Sequence, residues 1–200
     1  MSQDLAPKAP FAAPIVDQLS VRVVVDSRYE RFLPKHTHPF AVIEHVGQVP
    51  GRQMTSLACE WGLSLHLESH RAGSKAQFML DFGFTPEIVL RNADLLDIDP
   101  GKIDGLILSH AHRDHFGGMI GFVLQHRSRM RSDLSFYNGG EEGFREKFLG
   151  DPKSPISWGA VDRRMLSAQG VKCVCCHEPH DLSHALDRKS TRLNSSHMSE

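Results

Sequence analysis

The chain has 200 residues, of which 40% are hydrophobic, and its formal net charge is −1 at pH 7. This size and composition predict one globular domain or part of a larger one, and the near-neutral charge argues against binding to nucleic acid or to an anionic membrane. No apolar run reaches the roughly 18 residues needed to cross a bilayer, which excludes a transmembrane helix.

The chain begins with MSQDLAPKAPFAAP, which is rich in proline and alanine and does not resemble a signal peptide. We interpret residues 1–19 as a disordered lead-in and residues 20–186 as the folded domain. The four cysteines, three of them at positions 173, 175 and 176, do not resemble a disulfide framework. Their pattern favours a reducing compartment, so we expect a cytoplasmic protein.

Short β-branched or alternating stretches predict strands, and apolar residues repeated every three or four positions predict helices. The first half of the chain has predicted strands at VRVVVD, GLSLHLES, AQFMLDFG and KIDGLILSH, and predicted helices at TPEIVLRNADLLDI and GGMIGFVLQHRSRM. The second half continues with strand LSFYN, helix EEGFREKFL, loop DPKSPISWG, helix DRRMLSAQG and strand VKCVCC. Strands that alternate with helices predict a layered α/β fold.

For one helix and one strand, the sequence also predicts the N-cap residue or the side chains that face the core. Thr85 stands at the N-cap position of the helix that begins TPE, and Pro86 follows at its first position. The buried face of this helix is expected to carry Val89, Ala93 and Leu96. In GLSLHLES the leucines alternate with polar residues, which is typical of a half-buried strand. We therefore expect His66 and His70 on the polar face of that strand.

The stretch GLILSHAHRDHFGG places three imidazoles and one carboxylate where a predicted buried strand ends, at His110, His112, Asp114 and His115. Layered α/β proteins bind ligands at the carboxyl ends of their strands. His110 and His112 are two residues apart, so in an extended segment both rings point the same way and can bind one cation. The following turn displaces Asp114 and His115 toward a second cation, as two-metal sites with a separation of roughly 3.5–4 Å require.

Gly117 and Gly118 follow this cluster and allow the backbone to turn tightly and to pack closely behind it. Nitrogen ligands suit zinc and iron, and a carboxylate at the second position also admits manganese. We therefore predict two divalent metal ions, zinc in the first place with iron or manganese as alternatives. Asp114 is also the candidate catalytic residue.

The motif SHAHRDH resembles the metal signature of the metallo-β-lactamase fold superfamily, and MLDFG resembles the upstream strand that ends in aspartate. The longer run from ACEWG to HFGG is similar to the branch that includes the dihydropterin ribofuranosyl-aminobenzene phosphate synthase-like proteins. The resemblance covers about residues 20 to 186. It implies an α/β fold, the metallo-β-lactamase αββα sandwich, of which this chain would form the N-terminal portion.

By this resemblance His110 and His112 bind the first metal, and Asp114 and His115 bind the second. Asp81 accepts a hydrogen bond from the metal-binding loop and fixes its geometry. The superfamily also supplies a third histidine, a bridging carboxylate and a last histidine from later loops. The histidines that could fill these places before residue 186 are His177, His180 and His184, and we favour His184.

The resemblance implies metal-assisted hydrolysis of a small, anionic substrate, because two divalent ions make the floor of a pocket strongly positive. Two alternatives stay open: a pterin-pathway synthase of the same fold and an iron-dependent oxidoreductase. A thiolate zinc site at CVCCHEPH is less favoured, since Val171, Cys173 and Cys175 alternate on one face of a strand and read as ordinary buried residues. The partner is expected to be a small molecule.

The last residues, DRKSTRLNSSHMSE from Asp187 onward, are polar and lack periodicity. Residues 187–197 resemble a common sequencing adapter translated in one reading frame. We therefore interpret 187–200 as a non-native tail and the chain as a fragment of a longer protein. By this interpretation the remaining metal ligands lie in the missing part, and the fragment by itself is expected to be inactive.

Overall fold

A computed structural model describes residues 15–29, 37–38, 41–42 and 55–177, the two dipeptides by their backbone only. The strands are β1 (Gln18–Val25), β2 (Thr37–His38), β3 (Ala41–Val42), β4 (Ser64–Arg71), β5 (Ser74–Leu80), β6 (Gly105–Ile107), β7 (Ser135–Asn138), β8 (Lys147–Leu149), β9 (Ile156–Gly159) and β10 (Lys172–Cys175). The helices are α1 (Pro86–Leu95), α2 (Arg113–Phe116), α3 (Met119–His126) and α4 (Arg163–Ala168), and 3₁₀ turns span Pro100–Lys102 and Glu141–Phe144.

Six of the strands form one mixed sheet in the order β1-β4-β5-β6-β7-β10. The β1–β4 and β4–β5 pairs are antiparallel, whereas β5–β6, β6–β7 and β7–β10 are parallel. Helices α1, α3 and α4 occur in the connections between the parallel strands, which is the arrangement that parallel pairing requires. The predicted α/β fold class is therefore confirmed.

The main hydrophobic core joins the helices to one face of this sheet. Its members include Met79, Leu106 and Phe136 from the strands and Phe122 and Leu166 from the helices, all fully buried. Burial of each such side chain stabilises the fold by roughly 1.5–3 kcal/mol. The residues predicted for the buried face of the first helix lie in the same core, as Val89, Ala93 and Leu96.

The burial of strand β4 is the reverse of what its sequence predicts. His66 is only 2% exposed and Ser64 is fully buried, whereas Leu65 and Leu67 are half-buried. His66 pairs across the sheet with Met79, and cross-strand partners share a face, so the register turns the imidazole toward the core. The placement of His66 on the polar face was therefore wrong. Alternation predicts a strand but does not say which of its two faces the helices cover.

The buried imidazole of His66 makes the stability of the fold dependent on pH. Burial lowers the pKa of His66 below its ordinary value of 6.5, although the hydrogen bond with Gln77 opposes that shift. The unfolded chain then binds the proton more readily than the folded chain. We expect the free energy of unfolding to fall as pH drops below about 6.5, by up to about 1.4 kcal/mol per pH unit. Urea unfolding at pH values from 7.5 to 5 measures this slope.

The variant His66→Gln is expected to flatten that slope. Ser64→Ala is the matched control, because Ser64 is equally buried on the same strand and its hydroxyl donates a hydrogen bond to the Asp81 carbonyl. Its loss should lower the free energy of unfolding by about 1 kcal/mol at every pH and leave the slope unchanged. A wild-type slope that persists in His66→Gln would assign the pH dependence to other groups.

Residues 141–159 differ from their predicted structure. The stretch EEGFREKFL was predicted as a helix and forms a 3₁₀ turn followed by β8, and the predicted loop DPKSPISWG contains β9. These two strands pair as an antiparallel hairpin, with Phe148 opposite Ser157. The helical pattern was short, and pairing between segments outweighs weak local propensity.

The described residues can also be compared with the predicted limits of the folded domain, residues 20 and 186. Strand β1 begins at Gln18, two residues before the predicted start of the domain at residue 20. Residues 187–200 lie outside the described residues, so their interpretation stays a prediction. Among the described residues, no helix has both the length and the apolar character that crossing a membrane requires.

Candidate metal centre

The candidate metal centre lies at one edge of the sheet, where two neighbouring parallel strands end. Strand β5 ends at Leu80 and is followed by Asp81, and strand β6 ends at Ile107, shortly before His110. The two strands pair in register, with Leu80 opposite Ile107. The carboxyl ends of parallel strands meet at the same edge, so the segments that carry Asp81 and the histidines are neighbours.

Asp81 is fully buried and organises the loop that follows β6. Its carboxylate accepts hydrogen bonds from the Ser109 amide (2.7 Å), the Ser109 hydroxyl (2.6 Å) and Nδ1 of His115 (2.7 Å). Its backbone has φ of +61°, a conformation that aspartate tolerates better than most residues. The Asp81 amide donates to the Ile107 carbonyl (2.9 Å) and its carbonyl accepts from the Ser64 hydroxyl (2.8 Å), so the backbone is held on both sides.

The structure brings together the four residues predicted as metal ligands. The ring centroids of His110 and His112 are 4.4 Å apart, and those of His110 and His115 are 4.0 Å apart. Oδ2 of Asp114 lies 3.4 Å from Nε2 of His115. Three imidazoles and one carboxylate therefore occupy a single small region beside Asp81.

Hydrogen bonds determine which ring nitrogens are available to a ligand. The single hydroxyl proton of Ser109 is given to Asp81, so Nδ1 of His110, 3.0 Å from that hydroxyl oxygen, is the donor of its own hydrogen bond. His115 donates through Nδ1 to Asp81. Both imidazoles then keep an unprotonated Nε2 in their neutral form, which is the form that binds metal.

The surroundings of the cluster shift the pKa values of His110 and His115 in opposite directions. Burial lowers the pKa of His110, and the neighbouring His115 and His112 lower it further. Burial alone would also lower the pKa of His115, but its hydrogen bond to Asp81 and the charges of Asp81 and Asp114 outweigh that effect and raise it. The carboxylates thus give this group of rings a negative surrounding that favours a cation.

The donor set fits a divalent cation in its chemistry and in part of its geometry. Oδ1 of Asp114 is buried without a hydrogen-bond partner, and an orphaned carboxylate oxygen is stabilised by a cation. The 3.4 Å between Asp114 Oδ2 and His115 Nε2 is close to the roughly 3.3 Å between two ligands of a tetrahedral zinc ion. Within the described ranges, however, no set of three or more His, Cys, Asp or Glu side chains is already arranged to hold a metal ion. Convergence on a cation therefore needs side-chain rotation.

The two glycines after the histidine motif pack against the strand β5 side of the site, as predicted. A Cβ atom at Gly117 would lie 2.1 Å from the Phe84 carbonyl oxygen, and one at Gly118 would lie 2.3 Å from that of Phe82. Atoms cannot approach so closely, so only glycine permits this contact. The close packing holds helix α2, which carries Asp114 and His115, against the segment that follows Asp81.

The sequence did not predict the contribution of Glu60. Oε1 of Glu60 accepts hydrogen bonds from the amides of Phe84 (2.8 Å) and Thr85 (3.0 Å), and the Thr85 hydroxyl donates to Oε2 (2.7 Å). Thr85 stands at the N-cap position, as predicted, although its side chain makes no capping hydrogen bond. The hydroxyl of Thr85 instead binds a residue remote in sequence, for which no local pattern exists. Ser109 was missed too, although it directly precedes the motif.

The remaining candidates are not part of this cluster as described. His180 and His184 lie outside the described residues, so the choice of His184 stays a prediction. His177 is exposed after the end of β10. Cys173, Cys175 and Cys176 are half-buried, not fully buried as the sequence indicated. Burial, with help from Glu141, raises the pKa of the Cys175 thiol to about 11, which disfavours the thiolate that a zinc site needs.

Comparison with known proteins locates the similarity in the same part of the chain. The sequence model of the metallo-beta-lactamase superfamily matches residues 72–131, which include the whole histidine motif. The 7,8-dihydropterin-6-methyl-4-(beta-D-ribofuranosyl)-aminobenzene-5'-phosphate synthase of Methanocaldococcus jannaschii is 42% identical over 64 residues, which is 32% of this chain and 22% of that protein. The match therefore spans about a fifth of the length of this relative.

Two solved structures that are similar to this chain are metallo-β-lactamases. A putative metallo-beta-lactamase from Thermotoga maritima has 15% identity and a TM-score of 0.36, covering 85% of this chain and 70% of that one. A metallo-beta-lactamase from Novosphingobium pentaromativorans has 16% identity and a TM-score of 0.37, covering 62% and 42%. These TM-scores are too low to identify a fold, so the identification depends on the sequence match. The resemblance to the metallo-β-lactamase superfamily is thus confirmed, over residues 72–131.

Proposed function

We propose that this chain carries the metal-binding part of an enzyme that hydrolyses a small, anionic substrate with two divalent metal ions, most simply zinc. The observation that carries the proposal is the cluster of His110, His112, Asp114 and His115 around the buried carboxylate of Asp81. The superfamily match over the same residues supports it. A small molecule is the substrate in this proposal.

Each residue of the cluster has a role in this proposal. His110 and His112 hold one cation, and Asp114 and His115 hold the other. When bound, the cations supply a water of lowered pKa and polarise a carbonyl or phosphoryl oxygen of the substrate. Asp81 keeps the proton of His115 on Nδ1 and fixes the orientation of the ring. Oδ1 of Asp114, buried and unpartnered, is available to a cation or to water.

A second candidate function is the synthesis of a dihydropterin–ribofuranosyl-aminobenzene phosphate product. It is favoured by the 42% identity to the archaeal synthase over 64 residues. The two candidates share the metal ligands and differ in what attacks the substrate, water in the first and a second organic molecule in the second. The choice between them therefore depends on whether turnover needs one substrate or two.

The test uses the protein encoded by the complete genomic reading frame around residues 1–186, because residues 187–200 are interpreted as non-native. The protein is loaded with Zn²⁺, Mn²⁺ or Fe²⁺ and assayed on a phosphodiester, a lactone and the two-substrate synthase reaction. We expect metal-dependent hydrolysis that is lost in His112→Ala and retained in His70→Ala. The side chain of His70 is 39% exposed, and His70 pairs with Lys75 at the start of β5, the end of that strand away from Asp81. Product that appears only when both organic substrates are present would favour the synthase. Turnover that survives His112→Ala would contradict both candidates.

A further inference from the structure

We propose that Trp61, Phe84, Trp158 and Arg113 form a binding surface for a planar aromatic, anionic part of the substrate. We call these four residues the aromatic wall. The inference rests on the proposed function, because it describes what the same site would take. It is carried by the packing of two rings against Trp61, by the exposure of Trp61, by the charge of Arg113 and by the contacts of these segments with the candidate metal ligands.

Trp61 contacts both other rings of the aromatic wall and is exposed, whereas Phe84 and Trp158 are half-buried. The Trp61 and Phe84 centroids are 6.0 Å apart with an interplanar angle of 33°, and Trp61 and Trp158 are 5.6 Å apart at 65°. Trp61 is nevertheless 57% exposed. A ring cluster that served only the core would be buried, since exposure of a large aromatic ring forgoes the stabilisation that burial gives. Exposed aromatic rings grouped beside a polar site are typical of a binding surface.

Arg113 gives the aromatic wall a positive charge. Its guanidinium carbon lies 5.6 Å from the centroid of the Phe84 ring, within the range of a cation–π contact. The residue is exposed, and no carboxylate among the described residues forms an ion pair with it. A guanidinium in this situation binds carboxylate or phosphate groups with two parallel hydrogen bonds. The wall thus combines flat apolar surface with an anion-binding group.

Two segments of the aromatic wall are fixed to each other and to the candidate metal ligands. Glu60 holds the Phe84 amide at 2.8 Å, which joins the segment of Trp61 to that of Phe84. The Leu63 amide donates to the Asp114 carbonyl at 3.2 Å. A Cβ at Gly62, whose φ is +142°, would lie 2.2 Å from that carbonyl oxygen, so the segment is in direct backbone contact with it. Trp61 is therefore positioned next to the candidate metal centre.

The hairpin of β8 and β9 brings in the third ring. Trp158 precedes Gly159, and a Cβ at Gly159 would lie 3.1 Å from Nη1 of Arg113 and 3.7 Å from the ring of Phe116. The hairpin therefore packs against the residue that stands between His112 and Asp114 in sequence. Three segments distant in sequence supply the wall, and all of them meet the metal-ligand motif.

Calorimetric titration of the metal-free full-length protein with two probes of equal charge tests this proposal. The probes are 6-carboxypterin, which is planar and aromatic, and cyclohexanecarboxylate, which is neither. We expect 6-carboxypterin to bind at least about tenfold more tightly. Trp61→Ala should remove most of that difference and Trp61→Phe should keep most of it. Arg113→Gln should weaken both probes to a similar extent. Phe148→Ala, which removes a 52% exposed ring from the same hairpin, is the matched control and should change neither.

Zinc content, measured on separate samples of the same proteins after incubation with Zn²⁺, separates this inference from the proposed function. If the wall binds aromatic anions but the metal proposal is wrong, 6-carboxypterin is still preferred by a protein that retains no zinc. If the metal proposal is right and the wall is not, zinc is bound but the two probes bind equally, which overturns the inference. Equal weakening of both probes by Trp61→Ala, or loss of zinc in that variant, would also overturn it, since the ring would then act only on the fold.

Discussion

Asp81→Ala is expected to lower the affinity for zinc about 10–100-fold and the free energy of unfolding by about 3 kcal/mol. The carboxylate is buried and accepts three hydrogen bonds, two from Ser109 and one from His115. Alanine leaves the Ser109 amide and Nδ1 of His115 without an acceptor at the buried position of Asp81. Alanine also tolerates a φ of +61° less well than aspartate, so the backbone is destabilised as well.

Two further variants separate these effects. Asp81→Asn keeps the shape and the tolerance of positive φ but removes the charge, so it should lose zinc affinity with a smaller loss of stability. Asp97→Ala is the matched control for the backbone, because Asp97 has a φ of +52° but is exposed and lies just beyond the C-terminal end of helix α1. Calorimetry with Zn²⁺ and urea unfolding give the two quantities. Zinc affinity that is equal in Asp81→Ala and Asp97→Ala would show that Asp81 does not organise the ligands.

The parts of the site that the sequence predicted are those encoded within one short stretch. His110, His112, Asp114 and His115 are separated by at most two positions, so any backbone that follows a strand end keeps them close. The close packing of Gly117 could be predicted for the same reason. The buried face of α1 could be predicted because helical periodicity specifies which side chains share a face.

What could not be predicted depends on contacts between distant segments. The burial of His66 is determined by which face of the sheet the helices cover, and that is a property of the assembled layers. Glu60 accepts the Phe84 amide across 24 residues, just before helix α1, and its side chain carries no local signal of that role. Trp61 and Trp158 meet because the β8–β9 hairpin packs against Arg113, and the sequence of that hairpin was interpreted as helix and loop.

The second large effect expected is on metal stoichiometry. In the full-length protein, Asp114→Ala or His115→Ala should remove one of two metal equivalents and leave the other, because these two residues are assigned to the same cation. His112→Ala should remove the other equivalent, and the double variant His112→Ala/Asp114→Ala should remove both. Elemental analysis of the purified proteins, with His70→Ala as the control, measures the equivalents.

The histidine rings lie so close together that they could also bind a single cation, and this experiment must exclude that arrangement. His110 lies 4.4 Å from His112 and 4.0 Å from His115 between centroids, so the three imidazoles are near enough to serve one cation together. In that case His112→Ala and His115→Ala would remove the same equivalent, and the double variant would lose no more metal than either single one. Additive losses distinguish two sites from one, because each cation then depends on its own pair of ligands. The hydrolytic proposal needs the additive result, since a bridging water requires two cations side by side.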